Sequence, residues 1–163
     1  MNIKRHEGHE REIPHAHIYH IITPIGFILV WFLDSQIFHI STILNDFVPF
    51  IVRVILFIVV LIIAYLSIML SHRALFKEHQ PPNTLITSGI LGRVRNPMYF
   101  GILLIYMAFL CFSISLISIG VFFVVFLVYN KMANFEENLL ESMFGNEYLE
   151  YKKNVPKWLP KLF

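Results

Sequence analysis

The 163-residue sequence is nearly devoid of cysteine, and charged residues make up only 15% of it. The single cysteine, Cys111, rules out an intrachain disulfide and any cysteine-based metal or redox centre. It lies inside an apolar run, where a small buried or lipid-facing hydrophobe is the expected role. Thirteen basic residues against eleven acidic ones leave a net charge of +2, too modest and too dispersed for a nucleic-acid partner. The first apolar block has no small-residue cleavage site, and its lead is acidic and His-rich, so no cleavable signal peptide is expected. Helices two to four lack an intramembrane polar pathway, which disfavours a transporter or channel.

What the chain has in abundance is apolar surface, with 56% hydrophobic residues. Four apolar blocks stand out, at 18–33, 47–70, 97–112 and 116–130. The second is long enough to span a bilayer, for which ~20 residues suffice. The expected fold is an all-α integral membrane protein with about four transmembrane helices and a cytoplasmic C-terminal helical extension. It forms a single membrane domain over 1–163, with two helices in 1–70 and a loop, a helical hairpin and C-terminal helices in 71–163. Orientation follows from the basic residues. Lys4, Arg5 and Arg11 lie in the head, Arg73, Lys77, Arg93 and Arg95 in the 71–96 connection, and Lys131, Lys152, Lys153, Lys157 and Lys161 in the tail. With four spans all of these fall on one side, only Arg53 excepted, and both termini are expected in the cytoplasm. The clustered tail lysines suit an anionic leaflet of membrane lipids.

Taken in order, the head carries His6, His9, His15, His17 and His20, but no cysteine or carboxylate set completes a metal site, so none is expected. Helix one is interrupted by Thr23, Pro24 and Gly26 and is expected to reach across by continuing through Ile37 and Phe38, with Trp31 and Asp34 near the far interface. Helix two begins after Pro49; Arg53, one turn inside it, is expected to snorkel or to meet Asp34 or Asp46 as a structural residue. The 71–96 connection is far longer than most helix–helix joints, which argues for a working loop. Residues 113–115 alone separate helices three and four, and helix three, at ~1.5 Å per residue, is about 24 Å long. That is short of a ~30 Å hydrocarbon core, so the apex is expected inside the membrane, shielded by other helices, or the bilayer thins there.

No Pro or Gly lies between Val121 and Phe144, so helix four is expected to run out to a C-cap at Gly145. On this extension Tyr129, Met132, Ala133, Glu136, Leu140 and Met143 share one face, and Asn130, Asn134, Glu137 and Glu141 another. Glu136 is thus the lone charge on an apolar stripe and needs a partner, either Arg93 or Arg95 or a ligand, whereas Glu137 reads as solvated. A short helix over 146–153 follows, with Tyr148 and Tyr151 on one side, and Trp158 reads as an interfacial anchor.

The one long polar interval between apolar blocks is 83–101, and it launches helix three. Asn96 is a good N-cap type and Pro97 suits the first helical position. The free N–H groups near Met98 and Tyr99 then face Arg93 and Arg95, a ready seat for a carboxylate or phosphate. The competing reading is a capped helix with arginines on the cytoplasmic side.

The ordered set Thr84-Leu-Ile-Thr-Ser-Gly89, Arg95-Asn-Pro-Met-Tyr-Phe-Gly101, Glu136-Glu137 and Phe144-Gly-Asn-Glu-Tyr-Leu-Glu-Tyr-Lys-Lys-Asn-Val-Pro156 resembles the isoprenylcysteine carboxyl methyltransferases and their phospholipid N-methyltransferase relatives. The likeness covers about 83–160; the first two helices match only in hydrophobic character. It implies an S-adenosylmethionine-dependent methyltransferase acting on a lipophilic small-molecule or prenylated substrate, with the cofactor at the cytoplasmic face. Carried over by position, cofactor contacts come from Asn83, Thr84, Leu85, Ile86, Leu91, Asn96, Pro97, Met98, Tyr99 and Glu136; Arg95 joins them from the anion-seat reading above, Arg95 and Tyr99 are the catalytic candidates, and Tyr129 and Met132 face the substrate. The carboxyl methyltransferases have His where this chain has Asn83 and Asn96, Tyr where it has Leu91, and a substrate-binding Arg where it has Met132. Without a cation at Met132, a phospholipid or lipid amine is the alternative acceptor, and a non-catalytic membrane binding or scaffold protein is the second alternative.

Overall fold

The computed structural model describes residues 16–75 and 84–161, which contain no strand. In chain order they form α1 (Ala16–Phe32), a π-helical continuation (Leu33–Phe38), a 3-10 turn (Ile43–Asp46), α2 (Phe50–Leu75), a second 3-10 turn (Gly89–Gly92), α3 (Pro97–Phe112), α4 (Leu116–Phe144) and α5 (Asn146–Asn154). Three helical stretches, Ala16–Phe38, Phe50–Leu75 and Leu116–Phe144, are long and apolar enough to cross a membrane, while Pro97–Phe112 is a shorter apolar helix. Helix one does continue past its apolar block to Phe38. Thr23, Pro24 and Gly26 do not interrupt it: the helix passes straight through Pro24, and the Thr23 hydroxyl donates back to the Tyr19 carbonyl at 2.7 Å. An apolar solvent offers the backbone no other partners, so the helix persists despite one missing donor.

The bundle is stitched by small residues and aromatic rings rather than by a polar core. α2 and α3 approach so closely at Gly101 that a Cβ there would stand 2.6 Å from Ile68 Cγ1 and 3.0 Å from the Ala64 carbonyl oxygen. Close backbone approach at small residues is how helices associate where lipid removes the hydrophobic driving force. α1 lies across α3 and α4, with Phe27 edge-on to Tyr106 at 4.9 Å and Trp31 Nε1 donating to the Phe109 carbonyl at 3.0 Å. The opposite face of α2 exposes Ile51, Ile55, Ile58, Ile62 and Tyr65. An apolar face of this extent fits a bilayer and not water.

The apex between α3 and α4 is covered by the 34–46 connection. Asn45 donates to Ser113 Oγ at 3.0 Å and accepts from the Ile114 N–H at 2.8 Å. Asp34, buried, accepts from the Ser41 N–H at 3.0 Å and from the Ser115 hydroxyl, and Ser115 Oγ in turn accepts from the Ser118 N–H at 3.0 Å, capping α4. Arg53 meets neither Asp34 nor Asp46. It donates to the carbonyls of Val48 (3.2 Å), in the loop before α2, and of Phe112 (3.0 Å), in the last turn of α3, where helix carbonyls lack partners. The apex is therefore satisfied by protein groups, as a turn within or near hydrocarbon must be.

α4 runs to Phe144 and ends at Gly145, whose φ of 55° suits a residue without a Cβ. α5 and the tail then fold back on the bundle. The Arg95 N–H donates to the Pro156 carbonyl at 3.0 Å, and the Lys161 N–H to the Arg93 carbonyl at 2.9 Å. Lys157 Nζ donates to the side-chain oxygens of Asn130 (2.8 Å) and Asn134 (2.6 Å). Trp158 is thus not a free interfacial anchor; it is half-buried and packs against Phe126 at 5.5 Å. The returning tail also explains why Glu137, on the polar face of α4, is buried while Asn134 on the same face stays exposed.

Candidate active site

α2, the 84–91 segment, the start of α3, α4 and α5 enclose a cavity of ≈ 770 Å³, counting the solvent space at its mouth. Its wall includes Thr84, Leu85, Ile86, Leu91, Arg95, Asn96, Pro97, Met98, Tyr99 and Glu136, so residues far apart in sequence converge as the motif spacing suggests. Asn83 lies outside the described residues, as do His6, His9 and His15. Ser71, Leu75, Leu140, Phe144, Tyr148 and Tyr151 also line the cavity. The motifs did not single these out for a site; only the two tyrosines, sharing a face of a short helix, carried a signal.

The helix phase of the two glutamates differs from the sequence expectation. Glu137, read as solvated, is only 4% exposed, whereas Glu136, read as the lone charge of the buried stripe, is half-buried on the cavity wall. The buried run Tyr129, Met132, Ala133 continues with a step of four to Glu137. Periodicity permits a step of three or four equally; the position of Arg95 selects between them. Arg95 donates Nε and Nη2 to the two Glu137 oxygens at 3.2 and 3.3 Å, and Nη1 to the Lys152 and Val155 carbonyls at 2.7 and 2.9 Å. Asn96 Nδ2 donates to Glu137 Oε1 at 2.7 Å.

Two expectations change with this cluster. Asn96 precedes α3 and Pro97 takes the first turn, but the Asn96 side chain makes no capping bond; the Glu137 carboxylate has captured it. Arg95 reaches the cavity, yet four of its five N–H donors are engaged and its charge is balanced by Glu137. What the start of α3 offers the cavity is therefore its uncapped N–H groups rather than a free guanidinium. Arg93 is exposed.

The remaining polar groups of the cavity suit a polar, zwitterionic guest. Glu136 accepts from the Tyr99 hydroxyl and presents a carboxylate to the wall. Ser71 Oγ is buried, 1% exposed, and has no hydrogen-bond partner, a state that costs about 1–3 kcal/mol unless a guest supplies one. Tyr151 donates to the Leu91 carbonyl at 2.6 Å, and burial pushes its phenol up to about 12. Burial likewise pushes Tyr148 up, so both remain neutral walls. These residues fit S-adenosylmethionine: a carboxylate for an ammonium group or ribose hydroxyls, N–H groups for a carboxylate, and apolar faces for a base. Among the described residues no group of three or more His, Cys, Asp or Glu could hold a metal.

A second cavity, of ≈ 710 Å³, opens between α1, α3 and α4 and is almost wholly apolar, lined by Pro24, Ile28, Ile102, Ile105 and Phe109 besides His20, Tyr106 and Tyr129. The two cavities share a wall of rings. His20 is stacked on Tyr99 at 6.3 Å between centroids, and Tyr99 lies 5.8 Å from Tyr129. Tyr129 therefore faces the apolar side, while Met132 is buried in the core and lines neither cavity.

A family model described as phospholipid methyltransferase matches residues 50–147, and so takes in α2, which the motif resemblance left out. Protein-S-isoprenylcysteine O-methyltransferase B of Arabidopsis thaliana is 34% identical over 87 residues, 52% of this chain and 42% of that protein. The human protein-S-isoprenylcysteine O-methyltransferase is 36% identical over 86 residues, 51% of this chain and 30% of its own length. An uncharacterised protein of Haemophilus influenzae is 40% identical over 63 residues, 38% of this chain and all of that protein. The chain thus spans less than half the length of the two named relatives it matches. No solved structure gives a significant match.

Proposed function

Since the chain belongs to the phospholipid methyltransferase family, we propose that it is a multi-pass membrane enzyme that transfers a methyl group from S-adenosylmethionine to a lipophilic acceptor. The observation that carries this is the shared ring wall: a cavity bearing Glu136, Asn96 and Ser71 and an almost wholly apolar one meet at Tyr99, His20 and Tyr129. Two ligands of opposite polarity can therefore approach one point from opposite sides, the cofactor from the cytoplasmic loops and the acceptor sideways from the bilayer. Thr84, Leu85, Ile86, Leu91, Asn96, Pro97, Met98, Tyr99 and Glu136 hold the cofactor, with Asn83 at the edge of the same segment. Once bound, the cofactor supplies an activated methyl group and a neutral thioether leaving group. This chain's residues then align the partners and exclude water; Tyr99 does so directly, and Arg95 by holding Glu137, Asn96 and the tail in place. α3 completes a four-helix crossing, with both termini on the side rich in Lys and Arg.

The two named relatives are isoprenylcysteine O-methyltransferases, and a prenylcysteine carboxylate is one candidate acceptor. Among the described residues the lining of the apolar cavity has no Lys or Arg to pair with a carboxylate, and Met132 is turned into the core. Tyrosine faces instead attract a cationic amine, which favours an amine-bearing lipid. The test is incubation of the protein in nanodiscs with isotopically labelled cofactor, followed by lipid extraction and mass spectrometry. A labelled lipid amine is the expected product. A labelled prenylcysteine ester would select the other acceptor, and cofactor binding without transfer to any lipid would mark a binding protein.

A further inference from the structure

The helices that form the apolar cavity carry one hydrogen-bonded chain that the family motifs do not include. Thr23 Oγ1 lies 3.1 Å from Tyr106 Oη and 3.2 Å from Tyr129 Oη, and Tyr129 Oη lies 3.5 Å from His20 Nδ1. His20 is half-buried, one turn into α1, with its ring parallel to Tyr99 within 6° and tilted by 48° against Tyr129 at 5.7 Å. It is thus the one imidazole at the junction of the two cavities among the described residues, and it belongs to a helix outside the matched 50–147 region. Among the described residues on this wall, the imidazole is the one side chain of the type most often used to take up and release a proton in catalysis.

We propose that His20 is the proton acceptor for an amine-bearing acceptor in the apolar cavity, with the Tyr99, Tyr106 and Tyr129 rings holding the ammonium form beside it. This inference rests on the lipid methyltransferase reading above. An alkylammonium is not a nucleophile until it loses a proton. One N–H proton of the ammonium passes to an imidazole nitrogen of His20, freeing the nitrogen lone pair. That pair forms the new N–C bond to the methyl carbon of the sulfonium donor, and the C–S bond breaks with its electrons remaining on sulfur. The products are an N-methylated ammonium and a neutral thioether, and the imidazolium returns its proton to water at the mouth of the cavity. Among the described residues the titratable groups facing His20 are Tyr99 and Tyr106 on α3 and Tyr129 on α4, with Glu136 behind Tyr99 and His17 one turn earlier on α1.

The test uses the full chain in nanodiscs with a long-chain alkylamine as acceptor probe. His20→Gln keeps a group able to hydrogen-bond Tyr129, so the rings stay in place. Loss of a general base is expected to lower kcat by about 100-fold or more at neutral pH while cofactor affinity changes less than about twofold. The wild-type rate should rise with pH along a limb that the variant lacks, the variant following the free amine instead. A second readout needs no turnover: with cofactor omitted, the alkylamine should protect His20 from carbethoxylation by diethyl pyrocarbonate, read by peptide mass spectrometry, whereas a fatty alcohol of equal length should protect less. His17→Gln should leave both readouts unchanged. If wild-type protein methylates the amine and His20→Gln does so equally fast with the same pH profile, the inference is overturned. A wild-type rate that falls with rising pH along a His20-dependent limb would assign the imidazolium to binding an anion, also overturning it. Absence of any amine methylation by wild type would overturn the amine reading itself.

Discussion

Replacing Glu137 by Gln should destabilise the protein far more than the same change at Glu136. Glu137 is 4% exposed and accepts three hydrogen bonds, two from Arg95 at 3.2 and 3.3 Å and one from Asn96 at 2.7 Å. The Arg95 side chain is itself only 10% exposed. Neutralising the glutamate leaves a guanidinium enclosed by protein with carbonyl partners alone, and breaking one half of such a pair costs about 3–5 kcal/mol. In a chain of this size each kcal/mol moves the midpoint by ~2–4 °C, so Tm should drop by roughly 6–20 °C. Glu136 borders the cavity, and Glu136→Gln should shift Tm by no more than about a kcal/mol equivalent, in line with removal of one ordinary hydrogen bond. The assay is thermal unfolding in detergent micelles followed by intrinsic fluorescence, with cofactor absent. A double change, Arg95→Met with Glu137→Leu, should recover much of the loss, since apolar replacement of a buried pair is often neutral. Equal effects of the two glutamate changes, or no recovery in the double variant, would refute the assignment of Glu137 as the buried partner of Arg95.

Glu136→Gln should instead weaken S-adenosylmethionine binding by roughly 1.5–3 kcal/mol, the value of a hydrogen bond to a charged group, as measured by titration calorimetry. Ser71→Ala removes an unpartnered buried hydroxyl; it should raise the stability of the cofactor-free protein while lowering cofactor affinity, and equal affinity would show that no guest uses that hydroxyl. Gly101→Val should lower Tm by the equivalent of about 1–3 kcal/mol, because its Cβ would press on Ile68 and the Ala64 carbonyl and push α2 from α3. Cysteines placed at His39, which is exposed, and at Asn154 should react from opposite faces of sealed vesicles; labelling from one face would end the four-crossing topology.

Much of this protein was legible in its sequence. Run length and composition suffice for the membrane helices, because lipid permits almost nothing except a helix to expose so many adjacent apolar side chains. Motif order was enough to suggest that Thr84, Asn96, Tyr99 and Glu136 meet, and all four line one cavity. Pro97 and Gly145 likewise marked helix ends, through a missing N–H and a missing Cβ. Pairing across the bundle was not legible. A 3.6-residue period cannot choose between Glu136 and Glu137, and only the position of Arg95, itself fixed by the returning tail, made Glu137 the buried one. The same return tied Asn130 and Asn134 to Lys157 and drew Trp158 inward, and the capping of the apex by Asp34 and Asn45 drew Arg53 to carbonyls rather than carboxylates. His20 shows the difference most plainly: in the sequence it is the last of five histidines in a polar lead, and only the crossing of α1 over α3 and α4 sets it between Tyr99 and Tyr129. Local pattern determines which segments are helices because backbone hydrogen bonds close within four residues. Which buried group meets which depends on contacts between segments far apart in the chain, and those exist only once the helices have packed.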